Sequence, residues 1–394
     1  MKSDEFKRDI IPPSFIVFSD DWGEHPSSSQ HIFKHIALNH KVLWVNTIGM
    51  RNPKLTWSDF NKIIKKIKKM FGSLKVESQK RKSDNIFLYV CQPFMLPFNQ
   101  IFLIRRFNKY SVRRAIQLNN RHLNLTNSIV VSTVPNACDY IDILDNSKTV
   151  YYCVDDFTQW PGLNHCLVGE MEDQLIGRSE ILIGTSHKLY SKLHAYSKPT
   201  YLLTHGVDRA LFSQNPLVEH SCLTSIPKPR VGYFGLIDER SDQGLLIAIA
   251  SSMPDFSFVM TGPVVTDVSP SKTCSNIYFT GPVTYTELPS LVKGLDILFI
   301  PYLVNEFTDS ISPLKLKEYL ITGKPVVTTP LAEAKAFSQY LMIASSIEGW
   351  KIALTSSLKQ DQPSKFELII KAMEGELWEN KAKIFLDLCM QENI

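Results

Sequence analysis

Short, nearly continuous apolar runs recur along the chain in two series, and helical patterns separate them. Runs of this kind, rich in β-branched and aromatic residues, are typical of parallel strands that are buried on both faces. The pattern predicts a first series of strands at 15–19, 41–46, 86–90, 128–132, 149–154, 180–184 and 199–204. It predicts a second series at 230–234, 256–260, 276–280, 296–300, 325–328 and 341–344.

Between these strands, apolar residues recur at the three- and four-residue spacing of helices. In 30–38, for example, Ile32, Ile36 and Ala37 fall on one face. Further helices are predicted at 169–178, 188–195, 243–252, 286–295, 313–322 and 367–393. Because strand and helix alternate twice over, we predict the α/β class, with two Rossmann-like domains facing each other across a cleft.

A polar stretch with three prolines, 208–229, interrupts the alternation and is interpreted as a linker. It suggests an N-terminal domain at 1–205, a C-terminal domain at 206–366, and a C-terminal helix at 367–394 that could pack back on the first domain. In open parallel sheets, ligands bind at the carboxyl ends of the strands. Candidate site residues are therefore sought in the loops after the predicted strands.

Composition narrows the functional class. The 394 residues are 44% hydrophobic and 21% charged, as in globular proteins. No apolar run approaches the roughly 20 residues that span a bilayer, and the N-terminus is charged where a signal peptide would be apolar. We therefore expect a cytoplasmic protein whose seven scattered cysteines are reduced. The chain contains neither a P-loop nor a dinucleotide fingerprint, so kinase and dehydrogenase activities lose support.

Positive charge is concentrated in one segment. Between Arg51 and Arg121 there are 17 Lys or Arg and 3 acids, a net charge of +14 in a chain whose net charge is only +4. Apolar residues from Phe60 onward recur at helical spacing, which predicts an amphipathic basic helix suited to an anionic membrane surface. The alternative is a solvated helix that packs on its own domain. The lysines in question are Lys62, Lys65, Lys66, Lys68 and Lys69; Arg105, Arg106, Arg113 and Arg114 could extend the basic patch.

The segment 309–319 carries the most chemical information. Ser312 followed by Pro313 is a good helix start, and the free N–H groups of a helix start bind anions. Lys315 in the first turn favours an anionic ligand such as a diphosphate, and Ser310 and Ser312 could add hydroxyl donors. Glu318, one turn further, could accept hydrogen bonds from a ribose diol. The alternative is an ordinary surface helix with a solvated lysine.

This segment, Ser-x-Ser-Pro-x-Lys-x-x-Glu-Tyr-Leu followed by Gly-Lys-Pro-Val-Val, resembles the donor site of GT-B glycosyltransferases. It is most similar to bacterial exopolysaccharide and teichuronic-acid glycosyltransferases, which are family 1/4-like and near the glucuronosyltransferase type. The resemblance extends to 230–242, to Tyr-Tyr-Cys-Val-Asp-Asp-Phe at 151–157 and to Thr-His-Gly-Val-Asp at 204–208. Ser310 stands where retaining members carry a glutamate, so the resemblance favours an inverting enzyme.

The resemblance also implies roles for individual residues. Gly235 would let a loop approach the donor phosphates, Arg240 would pair with the diphosphate, and Tyr285 would lie at the nucleobase. His205 would lie near the diphosphate or the donor sugar.

An inverting transfer needs one base, for which Asp155 is the first choice and Asp156 the second. A neighbouring carboxylate would raise the pKa of one of them, and the other would cap the following turn. The loop after the first strand, with Asp21, Gln30 and His31, is assigned to the acceptor.

The resulting prediction is a glycosyltransferase, peripheral at the inner face of the membrane. It would move a sugar from a UDP-type donor to a lipid-linked or surface-polysaccharide acceptor. No cofactor and no metal are expected, because the chain lacks an Asp-x-Asp triplet and Lys315 and Arg240 would neutralise the diphosphate. No nucleic acid partner is expected. Two alternatives are a nucleotide-sugar epimerase of the same fold, and a non-catalytic protein that binds a nucleotide sugar or a membrane surface.

Overall fold

A computed structural model describes residues 12–23, 27–48, 77–78, 86–125, 127–142, 147–160, 162–214, 218–310, 314–359 and 362–391. The chain forms two compact units. The first unit consists of Met1–Leu203 together with Ala382–Ile394, and the second unit of Thr204–Lys381. Each is an α/β unit with its own sheet.

The sheet of the first unit has eight strands in the order β3-β4-β2-β1-β5-β6-β7-β8. All neighbours are parallel except β3 and β4, which pair antiparallel. The strands are β1 (Ser14–Ser19), β2 (Val42–Asn46), β3 (Glu77–Ser78), β4 (Leu88–Cys91), β5 (Ser128–Ser132), β6 (Lys148–Cys153), β7 (Ile181–Gly184) and β8 (Thr200–Leu202).

The second unit has a six-stranded sheet in the order β11-β10-β9-β12-β13-β14, in which every pair is parallel. Its strands are β9 (Arg230–Phe234), β10 (Ser257–Thr261), β11 (Ile277–Gly281), β12 (Ile297–Ile300), β13 (Val326–Thr328) and β14 (Met342–Ile343). In both sheets the central strands are buried along their length, as near-continuous apolar runs require.

Helices connect many of the successive strands in both units. The first unit contains α1 (Ser28–Ile36), α2 (Phe102–Leu123), α3 (His165–Arg178) and α4 (His187–His194). The second contains α5 (Arg209–Phe212), α6 (Gln243–Ser252), α7 (Leu288–Gly294), α8 (Glu306–Ser310), α9 (Leu314–Ile321), α10 (Ile347–Ser357) and α11 (Gln362–Met373), and α12 (Trp378–Met390) follows. Polar side chains fix several starts: Ser27, Asn164, Ser186 and Asp242 each accept a backbone N–H of the first turn.

The α/β class and both series of strands are confirmed, and each of the predicted strands lies within two residues of a strand of the structure at either end. The predicted linker is more ordered than expected, since it contains the short helix α5. The pattern missed α2, whose polar and apolar residues mix too evenly for a clear period. It also missed α8 and α10.

The end of the chain is not the single helix that the sequence predicts. A short 3-10 turn, Glu374–Glu376, separates α11 from α12, and residues 367–381 belong to the second unit. From Ala382 onward the chain belongs to the first unit, where Phe385 packs edge-on against Phe33 at 5.5 Å and Tyr152 at 5.3 Å between ring centroids.

Gly184, at the end of β7, offers a test of this packing. A Cβ atom there would lie 2.8 Å from the backbone nitrogen of Tyr190 in α4. We expect Gly184→Ala to lower the free energy of unfolding by about 1–3 kcal/mol, because the clash is with backbone that cannot turn away.

The matched control is Gly177→Ala, where a Cβ atom meets nothing within 4 Å and alanine is the better helix former by up to about 1 kcal/mol. Urea denaturation followed by circular dichroism measures both. Equal stability of the two variants would contradict the packing of α4 on β7.

Candidate functional site

The end of β9 provides the first part of the candidate site, in the second unit. Gly235 follows the strand with φ +136°, a conformation that favours glycine. Its N–H donates to the carbonyl of Thr261 at the end of β10 (2.9 Å). A Cβ atom on Gly262 would lie 1.9 Å from the carbonyl oxygen of Gly235. Two glycines thus allow two loops to lie side by side at the carboxyl ends of the central strands.

Tyr319 holds α9 against this strand end. Its hydroxyl accepts the N–H of Phe234 (2.8 Å) and donates to the carbonyl of Phe234 (3.0 Å). The two rings are in contact, with centroids 4.5 Å apart. Because these bonds join the helix to the last residue of β9, the first turn of α9 is fixed beside the Gly235 loop.

Lys315, in that first turn, lies directly over the loop. A Cβ atom on Gly235 would be 1.9 Å from Cε of Lys315, so only glycine leaves room for the lysine. The ammonium lies 5.5 Å from the centroid of the Tyr233 ring, within the range of a cation–π contact. The predicted neighbours Gly235 and Lys315 are therefore brought together, and they present a cation at the carboxyl end of a parallel strand.

Arg240 is placed in the same region but already has a partner. Its guanidinium binds both carboxylate oxygens of Asp238, with a closest N···O distance of 2.6 Å, and lies 5.6 Å from the ring centroid of Tyr302. Burial of Tyr302 opposes ionisation, but the charges of Lys315 and Arg240 outweigh it and lower the tyrosine pKa. Lys315 and Arg240 thus both lie close enough to Tyr302 to act on it, and Asp238 neutralises part of the arginine charge.

Glu318 shares a region with Tyr285 and Asp208. Burial raises the pKa of Glu318 to about 7, with a smaller increase from Asp208 and an opposing effect of Lys315. Burial, followed by the charges of Glu318 and Asp208, raises the pKa of Tyr285. Asp208 caps α5 by accepting the N–H of Leu211 (3.2 Å). The structure thus brings Glu318 near Tyr285, and it adds Asp208, which the sequence analysis had quoted in a motif without giving it a role.

The two predicted serines contribute less. Ser310 is the last residue of α8, and its side chain lies outside what the structure describes. Ser312 and the predicted helix start at Pro313 lie outside the described residues as well; the described helix begins at Leu314. Their assignment to the diphosphate stays a prediction.

His205 is buried in a cationic environment. Burial, and then the charges of Lys317 and Lys381, lowers its pKa to about 3. Lys317 donates to the carbonyl of His205 and is ion-paired with Glu376, which also binds Lys381 at 2.8 Å. The imidazole is therefore neutral at physiological pH and supplies no positive charge to a diphosphate.

In the first unit, Asp155 and Asp156 follow β6 but differ in their surroundings. Asp156 is buried, and it accepts the Thr158 hydroxyl (2.5 Å) and the Lys192 ammonium (3.0 Å). Burial alone would raise the Asp156 pKa, but these two partners outweigh it and hold the pKa below 3.8. Asp156 is therefore not the member of the pair with a raised pKa, because the hydrogen bond from Thr158 and the charge of Lys192 both favour its ionised form. Asp155 is partly exposed.

Lys192 belongs to a polar cluster that the sequence analysis missed. Besides Asp156 it binds the buried carboxylate of Glu172 (2.8 Å), which also accepts the hydroxyl of Tyr151 (2.8 Å). Burial would lower the pKa of Lys192, but the two carboxylates raise it, so the ammonium stays charged. Glu172 and Lys192 lie on α3 and α4, each inside a helical pattern that predicted only packing. Nothing in their spacing marks them as partners of a strand end.

The loop after β1 uses its predicted residues partly for its own structure. The Gln30 side chain is buried; its oxygen accepts the N–H of Gly23 (3.1 Å) and its nitrogen donates to the carbonyl of Asp21 (3.4 Å). These bonds shape the loop and leave Gln30 little capacity for an acceptor. The side chains of Asp21 and His31 are partly exposed at the same strand end.

Two negative findings apply to the described residues. No three His, Cys, Asp or Glu side chains there come together as a metal site. None of the helices that the structure describes has the length and apolar character needed to cross a bilayer. The predicted membrane-binding lysines, Lys62, Lys65, Lys66, Lys68 and Lys69, lie outside the described residues.

Comparison with known proteins by sequence finds one informative relative. The chain is 30% identical over 174 residues to a protein of Bacillus subtilis strain 168 that is named as a teichuronic acid biosynthesis glycosyltransferase, TuaH. The match covers 42% of this chain and 44% of that protein, so it spans less than half the length of the relative. No protein-family model matches the chain.

Solved structures match over nearly the whole chain. Sucrose-phosphate synthase from Thermosynechococcus elongatus superposes with a TM-score of 0.68 at 11% identity, covering 96% of this chain and 98% of that one. A trehalose-6-phosphate synthase structure from E. coli, bound with UDP-2-fluoro glucose, gives 0.67 at 10% identity, with 96% and 99% covered. HepE of Anabaena, in complex with UDP and glucose, gives 0.56 at 12% identity, with 95% of each chain covered. These neighbours are GT-B glycosyltransferases, and the chain has the GT-B fold.

Proposed function

We propose that the protein is a glycosyltransferase that uses a UDP-sugar donor. The observation that carries the proposal is the placement of Lys315 over the Gly235 loop. There the glycine backbone at the end of a strand and the lysine ammonium could bind an anion together. The relative named as a glycosyltransferase and the fold shared with UDP-bound neighbours support it.

In this proposal the second unit binds the donor. Lys315 contacts the diphosphate and stabilises the negative charge that develops as UDP leaves, with Arg240 contributing once its pairing to Asp238 is shared with the ligand. Glu318 accepts hydrogen bonds from the ribose, and Tyr285 packs near the base. Ser310 and Ser312 complete the phosphate site. A neutral His205 contributes through shape and hydrogen bonding.

The first unit supplies the base. Asp155 takes the proton from an acceptor hydroxyl as its oxygen attacks the anomeric carbon. The bond between that carbon and the diphosphate oxygen breaks, and UDP leaves with the electron pair. The configuration at the anomeric carbon inverts. Asp156 is not the base in this proposal, because its lowered pKa and its ion pair with Lys192 make it a poor proton acceptor.

The acceptor in this proposal is a lipid-linked glycan or a growing surface polysaccharide, contacted by Asp21 and His31. The net charge of +14 between Arg51 and Arg121 supports a position at the anionic inner face of the membrane. The relative's name, which refers to teichuronic acid biosynthesis, supports a polysaccharide product.

A pair of aspartate variants tests the chemistry. We expect Asp155→Asn to lower kcat for UDP release by at least about 100-fold, since general base catalysis contributes 10²- to 10⁴-fold, with UDP affinity unchanged. The measurement is UDP release from a panel of UDP-sugars in the presence of a polyprenyl-linked acceptor glycan.

Asp156→Asn is the matched control. It should keep most of the activity and lose stability instead, by about 1–3 kcal/mol, because the amide oxygen of asparagine can still accept both hydrogen bonds but Lys192 loses one of its two ion-pair partners. Full activity of Asp155→Asn would overturn the base assignment. Tight UDP binding by the wild-type protein without any turnover would favour the non-catalytic alternative.

The pKa of Glu318 predicts a pH dependence of donor binding. Burial raises the pKa of its carboxyl from the ordinary 4.5 to about 7, and the ionised form, which has two acceptor oxygens and no donor, accepts hydrogen bonds from a ribose diol better than the neutral acid does. UDP affinity should therefore rise between pH 6 and pH 8 and level off above. Isothermal titration calorimetry measures this, and Glu318→Gln should bind UDP more weakly with a flat profile over that range. A rise that persists in Glu318→Gln would assign the titration to another group.

A further inference from the structure

The N-terminal end of α2 carries a group of exposed apolar side chains. The helix packs on the first unit through Val112, Ile116 and other buried residues. Away from that buried face, Phe102 is 70%, Leu103 74% and Tyr110 62% exposed. Large apolar side chains in a group are unusual on a solvated surface and mark interaction sites. Ile101 and Phe107 extend the group, which we call the apolar tip.

The same face is strongly basic. Residues 85–138 contain six Lys or Arg and no Asp or Glu. Two of these cations are used within the unit, since Arg105 binds Asp139 at 2.6 Å and Lys109 lies 3.4 Å from Asp142. The others have no carboxylate within ion-pair distance among the described residues; they are Arg106, Arg113, Arg114 and Arg121, all exposed.

The helical geometry places both features on one surface. Leu103, Tyr110, Arg114 and Arg121 are spaced by seven, four and seven residues and therefore share a face. Apolar side chains lie toward the start of the helix and arginines toward its end. A helix with exposed aromatic and aliphatic side chains at one end and exposed cations toward the other fits the boundary between lipid headgroups and acyl chains.

A second copy of the chain fits this surface poorly. A twofold interface would bring the same exposed arginines together, and like charges at an interface repel. An anionic bilayer offers the opposite charge over a wide area together with an apolar layer.

We propose that the apolar tip and the exposed arginines of α2 dock the protein on an anionic lipid surface, with Phe102 and Leu103 inserted below the headgroups. This rests on the membrane location in the proposed function, but it assigns contact to α2 and does not depend on the lysines of 62–69. The acceptor would then be reached from the bilayer surface to which α2 binds.

Vesicle sedimentation tests the docking with the full chain, using phosphatidylcholine vesicles with and without about 30% phosphatidylglycerol. Arg113→Glu/Arg114→Glu should reduce binding to anionic vesicles at least tenfold, since each cation near such a surface contributes about fivefold, and added salt should shrink the difference. Phe102→Ser/Leu103→Ser should reduce binding at low and high salt alike. The control Lys272→Glu/Lys359→Glu reverses two exposed lysines of the second unit and should bind as wild type.

Insertion has its own readout. Tryptophan introduced as Leu103→Trp should be quenched by brominated phospholipid and shift to the blue on binding, whereas Val265→Trp, at an exposed position of the second unit, should do neither. Vesicle binding that is unchanged in both α2 variants, or an unquenched tryptophan at position 103, would overturn the proposal. If the α2 variants instead convert a dimer to a monomer, the surface is a protein interface and the proposal fails.

The proposed function is judged separately. UDP release with a water-soluble acceptor should be the same in Phe102→Ser/Leu103→Ser and in wild type. If the proteins bind vesicles but none releases UDP, the transferase proposal fails and the membrane-docking proposal stands. If UDP release is normal but no lipid binding is seen, the membrane-docking proposal fails and the transferase proposal stands.

Discussion

The contact between Lys315 and the backbone at Gly235 is the constraint on which the proposed donor site depends. The lysine lies in the space that a side chain at 235 would occupy, so the strand end must carry glycine for the cation to reach it. Tyr319 holds α9, the helix that carries Lys315, beside this strand end through two hydrogen bonds to Phe234. The cation is thus held by the fold before any ligand arrives, and a preorganised charge stabilises a leaving anion without reorganisation cost.

In the first unit, the neighbouring residues Asp155 and Asp156 have different structural surroundings. Asp156 faces inward, and its ion pair with Lys192 joins the end of β6 to α3 and α4 through Glu172. This buried cluster fixes the backbone from which Asp155 extends. One carboxylate therefore secures the geometry, and the partly exposed one remains a candidate for chemistry. A stable fixed partner and a reactive neighbour are a general way of building a site.

The sequence predicts most of the fold and the placement of some residues of the candidate site. Buried parallel strands are readable because their apolar runs are short and bounded by turns, as in 128–132 and 230–234. The motifs also singled out Gly235 and Lys315, which the structure brings together. Helix α2 was not predicted, because aromatic residues on its exposed side obscure the helical spacing of the apolar residues on its buried side.

What the pattern could not supply is which side chains are already paired. Gln30 shapes its own loop, Arg240 is bound by Asp238, and the environment of His205 excludes its charge. Each looked available because local spacing shows neither how a loop folds back on a nearby residue, as for Gln30 and Arg240, nor which buried charges, such as Lys317, surround a side chain. Local sequence can thus predict which reactive side chains follow a strand. Whether those side chains are already paired with other residues depends on the tertiary structure.

Calorimetric titration of UDP, UMP and uridine against wild type and Gly235→Ala tests the central contact most directly. A Cβ atom at 235 must displace Lys315. We expect the wild type to prefer UDP over uridine by at least about 100-fold, as for a diphosphate held by charge-assisted hydrogen bonds. In the variant this preference should fall by about tenfold or more, while the affinity for uridine is kept. Equal binding of UDP and uridine by the wild type, or an unchanged preference in Gly235→Ala, would contradict it.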